Sequence, residues 1–216
     1  MDFIKIASAC PKTKVADVKY NVGEILKCID DADSKGAKAI AFPELCVTSY
    51  TCGDLFLQSR LLDDALKGIV SIAVETSNID MLIMVGAPLL KGCSLYNCSF
   101  VLFKGKILGI VPKSYIPNYS EFYEKRWFTE GAAIVDEKVD LPFQKDIPFG
   151  TNLIFKCDNF SFGCEICEDL WVTIPPSSYL ALEGANIIFN LSASNELVSK
   201  ADYRRSLVSN QSARSL

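Results

Sequence analysis

The order of elements at the start of the chain does most to narrow the fold. Phe3 to Ala9 alternates in the manner of a β-strand, and Pro11 ends it. Val18, Val22, Ile25, Leu26 and Ile29 then recur at helical spacing between Val15 and about Lys35. Gly36 is a helix stop, and Ala37 to Phe42 is a short apolar run closed by Pro43-Glu44. Strand, helix, strand in that order predicts a sheet covered by helices. Further on, Leu95–Phe103 and Ile107–Val111 flank Lys104-Gly105-Lys106, a turn too short for anything but an antiparallel hairpin. The sheet is therefore expected to be mixed.

The remaining segments extend this α/β pattern. Leu45 to Asp54 reads as a loop. Leu55 to Glu75 carries a helical stripe through Leu57, Leu61, Leu62, Ala65, Ile69 and Ile72. Met81–Leu89, Asn152–Lys156, Phe160–Ile166 and Ala185–Leu191 are strand-like, and Pro175–Gly184 suits a short helix with proline in its first turn. Pro112 to Gly131 lacks periodicity but holds five aromatics, so it is expected to be an ordered, functional loop. Val135–Gly150, with Pro142 and Pro148, gives no clear element. Lys200–Leu216 has helical character and meets no stop signal. Residues 1–216 thus read as one domain, incomplete at its C-terminal end.

Composition removes several chemistries. The chain has no histidine, which rules out Ser-His-Asp and Cys-His catalysis and histidine metal ligands. Its net charge is −4 and no basic patch stands out, so nucleic acid is not an expected partner. No run approaches the length of a membrane span. Nine cysteines, an odd number without a secretory leader, point to reduced thiols in the cytoplasm.

Three reactive residues each follow an apolar run by one or two positions, where sites gather in α/β sheets. They are Glu44 in Ala41-Phe42-Pro43-Glu44-Leu45, Lys113 in Val111-Pro112-Lys113-Ser114-Tyr115, and Cys167 in Gly163-Cys164-Glu165-Ile166-Cys167-Glu168-Asp169. Each alone has an ordinary reading: a solvated glutamate, a surface lysine, a packed cysteine. Cys164-x-x-Cys167 also has a redox or zinc spacing, but there is no second such pair. Together the three suit acyl transfer from an amide. The carboxylate takes the thiol proton and returns it to the leaving amine, while the ammonium supports thiolate and oxyanion.

These three motifs resemble those of the carbon–nitrogen hydrolase (nitrilase) superfamily. The stretches ELCVTSYTCGDLF, PKSYIPNYSEFYEKRWF, EICEDLWVTIPPS and NLSASNE are similar to the glutaminase domain of glutamine-dependent NAD synthetases. The resemblance implies a four-layer α-β-β-α sandwich, homo-oligomeric, that hydrolyses L-glutamine through a thioester on Cys167. Glu44 would be the base and Lys113 the oxyanion partner, with the backbone N–H of Glu168. Glu121 matches a second glutamate of related amidases. Tyr50, Tyr119, Phe122, Glu168 and Ser194 would form the glutamine pocket, and Lys200 stands where relatives often carry an arginine. Cys164 is expected to pack. No cofactor is implied for amide hydrolysis. ATP and Mg2+ would belong to a synthetase domain whose Ser-Gly-Gly-x-Asp-Ser loop does not occur in this chain. Two other readings remain: a stand-alone amidase for another small amide, and a non-catalytic interaction module that kept the fold.

Overall fold

A ten-residue strand, Ser94–Phe103, runs through the middle of the larger of two sheets in the computed structural model, which describes residues 3–215. In chain order the elements are β1 (Ile6–Ser8), α1 (Val18–Ser34), β2 (Ala39–Ala41), α2 (Ser59–Glu75), β3 (Leu82–Lys91), β4 (Ser94–Phe103), β5 (Lys106–Pro112), β6 (Glu137–Leu141), β7 (Gln144–Phe149), β8 (Phe155–Lys156), β9 (Ser161–Ile166), α3 (Pro176–Leu182), β10 (Ile187–Leu191) and α4 (Lys200–Arg214). The larger sheet has the order β1-β2-β3-β4-β5-β7-β6 and the smaller β10-β9-β8.

Both sheets are mixed. β1, β2 and β3 are parallel, β3-β4 and β4-β5 antiparallel, and β9-β10 parallel. Phe103 pairs with Lys106, so Lys104-Gly105 is the two-residue hairpin turn, with φ +45° and +81°.

Alternation along the strands sorts the core into two clusters. Ile40, Ile83, Val85, Phe100, Leu102 and Ile110 share one cluster with Val22, Ile25, Ile29, Ala65, Ile69 and Ile72 of α1 and α2. Ala39, Leu82, Met84, Val101 and Val111 lie on the opposite face and pack with Phe162, Cys164, Phe189 and Leu191 of the small sheet. On the far side of that sheet α3 closes on β9. A Cβ on Gly163 would come within 2.8 Å of the Leu180 side chain. The layers are helix, sheet, sheet, helix.

The helices begin and end for identifiable reasons. The Asp17 side chain accepts from Tyr20 N at 3.1 Å and caps α1. Gly68 lets the two helices approach, since its missing Cβ would sit 2.8 Å from Val18 Cγ1. Pro176 starts α3, where its absent N–H costs nothing. In α4 only Gln211 is buried, and its Nε2 donates to Ser177 and Ser178 Oγ at 3.1 and 3.0 Å.

One segment without a sequence signal proves regular. β6 and β7 form a hairpin within Val135–Gly150, and β7 joins the large sheet parallel to β5 through Ile110 and Phe149. Its prolines had hidden it. Pro142 lies in the turn, and Pro148 sits in β7 opposite Lys138 of β6, where β7 is only sparsely joined to β5, at Phe149. Among the described residues no helix is long and apolar enough to cross a membrane.

Candidate active site

Glu44, Lys113 and Cys167 each sit just past the C-terminal end of a strand: β2, β5 and β9. β2 and β5 belong to the large sheet and β9 to the small one, so the site straddles the seam between them. The turn after β2 is tight. Leu45 takes φ +52°, a left-handed conformation that costs a β-carbon residue roughly 1–3 kcal/mol. It is held by Cys46 N and Thr48 N, which donate to Pro43 O and Leu45 O, and by Val47 N, which donates to Gly86 O. Gly86 of β3 lies directly beneath. A Cβ there would fall 2.4 Å from Leu45 N and 2.7 Å from Pro43 O.

The turn after β9 is built on the same plan. Cys167 has φ +47° and opens a single helical turn, Cys167–Leu170. Asp169 fastens it. Its Oδ2 accepts from Ile166 N at 2.9 Å and from Ser114 N at 3.3 Å, and its Oδ1 accepts from Tyr115 N at 2.9 Å. One buried carboxylate thus ties the cysteine turn to the two residues that follow Lys113.

At the centre the Lys113 ammonium is wholly buried. It donates to Glu44 Oε1 at 2.7 Å and to both oxygens of Glu124 at 2.8 and 2.9 Å. Glu44 is anchored further by Asn97 Nδ2 on Oε1 at 2.7 Å and by Ala193 N on Oε2 at 3.1 Å. Tyr50 OH donates to Glu124 Oε1 at 2.8 Å.

The electrostatics follow from one ammonium facing two carboxylates out of water. Burial pulls Lys113 down, but Glu44 and Glu124 outweigh it and hold the ammonium above its ordinary range. Burial and the charge on Glu44 push Glu124 up, against the pull of Lys113 and Tyr50. Burial, then Glu44, also raise the Cys167 thiol, and Lys113 opposes them. Cys167 therefore rests as a neutral thiol beside an ion cluster, not as a thiolate.

Around this core stand the residues assigned to the pocket. Tyr119 OH donates to Glu168 at 2.9 and 3.0 Å, and burial with that bond raises the phenol to about 12. Phe122 meets Tyr119 edge-on at 5.7 Å. The Lys200 ammonium lies 5.0 Å from the Trp171 ring and 5.5 Å from Phe122, and bonds Asn195 Oδ1. Ser194 is half-buried, with its hydroxyl 3.5 Å from Asn195 O. Tyr50, also assigned to the pocket, has its hydroxyl on Glu124.

The second glutamate needs correcting. Glu121 is exposed and touches none of this cluster, whereas Glu124, three residues on, is 2% exposed and grips Lys113. The local fold explains the shift. Phe122 N bonds Tyr119 O and Glu124 N bonds Pro117 O, so a turn intervenes before Glu124 heads the next one, Glu124–Arg126. Asn97 was also missed, since it sits in a run that reads only as strand. Cys164 packs in the inter-sheet cluster, and burial pushes its thiol up to about 12.

The carbon–nitrogen hydrolase family model matches residues 5–215. The chain belongs to the carbon–nitrogen hydrolase family. It is 35% identical over 218 residues to the glutamine-dependent NAD(+) synthetase of Mycobacterium tuberculosis, covering 99% of this chain and 32% of that protein. To the synthetase of Arabidopsis thaliana it is 31% identical over 212 residues, 94% of this chain and 29% of that protein. A solved synthetase from Cytophaga hutchinsonii superposes with a TM-score of 0.86 at 29% identity, over 96% of this chain and 33% of that one. A Nesterenkonia amidase shares the fold at a TM-score of 0.76 and 16% identity, over 96% of this chain and 71% of the amidase. The chain spans about a third of the length of the synthetases it matches.

Proposed function

We propose that the chain hydrolyses the side-chain amide of L-glutamine through a thioester on Cys167, and that the ammonia serves NAD synthesis by a synthetase unit of the kind its longer relatives carry. The observation that bears most weight is the buried Glu44–Lys113–Glu124 cluster beside the Cys167 thiol.

The steps follow from the resting charges. As Cys167 Sγ attacks the amide carbon, Glu44 takes its proton and the C–S bond forms. The oxygen that gains negative charge is met by the Lys113 ammonium and the N–H of Glu168. Collapse breaks the C–N bond, and Glu44 returns its proton to the departing nitrogen as ammonia. Water then attacks the thioester with Glu44 again as base, the C–S bond breaks, and Glu44 returns the proton to Cys167 Sγ as glutamate leaves. Glu124 and Tyr50 keep Lys113 in place and charged throughout. Glu168, oriented by Tyr119, is the group we assign to the α-ammonium of glutamine, and Lys200 the group for its α-carboxylate.

The test is ammonia release from glutamine by the purified chain, with Cys167→Ala, Cys164→Ala and Glu44→Gln beside it. Turnover is expected to vanish with Cys167→Ala and Glu44→Gln and to persist with Cys164→Ala. Ammonia from aliphatic amides but not from glutamine would replace the substrate assignment. Full activity in Cys167→Ala would overturn the mechanism.

A further inference from the structure

The two oxygens of Glu44 are not equivalent. Oε1 accepts from Lys113 Nζ at 2.7 Å and from Asn97 Nδ2 at 2.7 Å, which uses both of its lone pairs. Among the described residues Oε2 accepts only Ala193 N, at 3.1 Å, and keeps one lone pair. The geometry assigns Asn97 as the positioning residue that closes Oε1 of Glu44 and leaves Oε2 as the oxygen that takes the Cys167 proton. This rests on Glu44 being the base of the reaction proposed above.

Asn97 is placed for that work twice over. Its side chain holds Glu44, while its backbone oxygen accepts Lys113 N at 2.8 Å, so one residue of β4 sets the base and the ammonium relative to each other. On β4 it follows Val101 and Ser99 on the face toward the inter-sheet seam, where Val101 packs with apolar groups of the small sheet. Asn97 is 1% exposed, and its Oδ1 is buried without a partner among the described residues. An amide that leaves its oxygen unpaired in an apolar layer is a poor packing residue. Leucine would fill that volume without the desolvation penalty. What leucine lacks is the N–H that Glu44 receives.

Losing a hydrogen bond to a charged group predicts a defect in chemistry rather than in binding. In Asn97→Leu, ammonia release should fall about thirtyfold in kcat with KM within about twofold of the starting chain. Alkylation of Cys167 by iodoacetamide should slow in step, followed by peptide mapping because Cys10 and Cys93 are exposed and react as well. Asn97→Asp gives the readout that a structural role would not move. While the introduced carboxyl keeps its proton it donates to Oε1 as the amide does. Once it ionises, two carboxylates face each other. Its kcat/KM should therefore approach that of the starting chain in acid and fall as pH rises, with a limb that neither the starting chain nor Asn97→Leu shows. Asn97→Ser, whose hydroxyl is too short to reach, carries the same expectation as leucine should the latter fail to fold. A kcat in Asn97→Leu or Asn97→Ser within about threefold of the starting chain, or a parallel pH profile in Asn97→Asp, overturns the assignment. If the starting chain releases no ammonia from glutamine, the substrate reading falls. The alkylation rates then decide Asn97 alone: slowed supports it, unchanged overturns it.

Discussion

Replacing Lys113 by methionine would leave Glu44 and Glu124 facing each other in the protein interior. The lysine side chain is 0% exposed, with carboxylate oxygens at 2.7 Å and 2.8 Å on two sides. At an effective dielectric constant of about 20, a unit pair 2.8 Å apart attracts by roughly 6 kcal/mol, and Lys113 makes two such pairs. Much of that gain offsets the cost of taking the ammonium out of water. What remains on breaking a buried pair is about 3–5 kcal/mol, because the partner charges stay behind. For a domain of this size that lowers the melting temperature by roughly 6–20 °C. The pH dependence identifies the cause. Glu124 is already raised above its ordinary value of 4.5 by burial and by Glu44, and Lys113 is one of the groups pulling it down. Without Lys113 it rises further. A carboxyl whose folded pKa is raised favours the folded state below its unfolded value, and that contribution is lost as pH rises through the folded one. The deficit of Lys113→Met should therefore be small near pH 4.5 and widen toward neutrality. Urea unfolding at a series of pH values measures it. Adding Glu124→Gln should recover part of the loss at neutral pH, by removing one of the stranded charges. A deficit that stays constant with pH, or a double variant no more stable than the single, refutes the reasoning.

Other substitutions probe the frame. Gly86→Ala should lower both stability and turnover, because its Cβ would press on the backbone of Pro43 and Leu45 that carries Glu44; unaltered kcat would contradict this. Phe162→Ala, which removes a fully buried ring stacked on Phe155 at 5.0 Å and Phe160 at 5.9 Å, should cost about 3–5 kcal/mol in chemical denaturation. Tyr119→Phe should raise KM for glutamine with little change in kcat, since it frees Glu168 without touching the ion cluster; an equal fall in kcat would move Tyr119 into the chemistry.

Most of the architecture could be read from the chain because it rests on local patterns: the α1 stripe, the Lys104-Gly105-Lys106 turn, the apolar β3. The three strand-end residues were candidates because of the run before each, and the resemblance of their motifs to a known family singled them out. Their convergence was not, because Glu44 and Lys113 come from one sheet and Cys167 from the other, and the two are brought together by the packing of Val101 and Met84 with Phe162 and Phe189 and by the Asp169 bonds to Ser114 N and Tyr115 N. Glu124 was hidden by an aperiodic segment, where counting from Lys113 cannot tell which carboxylate a turn buries. Asn97 had no signal at all. Its importance lies in what crosses to meet it from β2, which no local pattern records. The β6-β7 hairpin was obscured by prolines that in the structure need no hydrogen bonds.

Because Glu44 and Lys113 ride on one sheet and Cys167 on the other, the proposed chemistry would report on how the two sheets are seated. A slip of an ångström along the seam would leave every strand paired and every helix intact, yet move Sγ out of line with the oxygen that must take its proton. Hydrostatic pressure or mild heat, which loosen side-chain packing before they break backbone ladders, should therefore silence the enzyme while its far-ultraviolet dichroism is unchanged. Turnover in this fold is a vernier scale for the alignment of its inner layers.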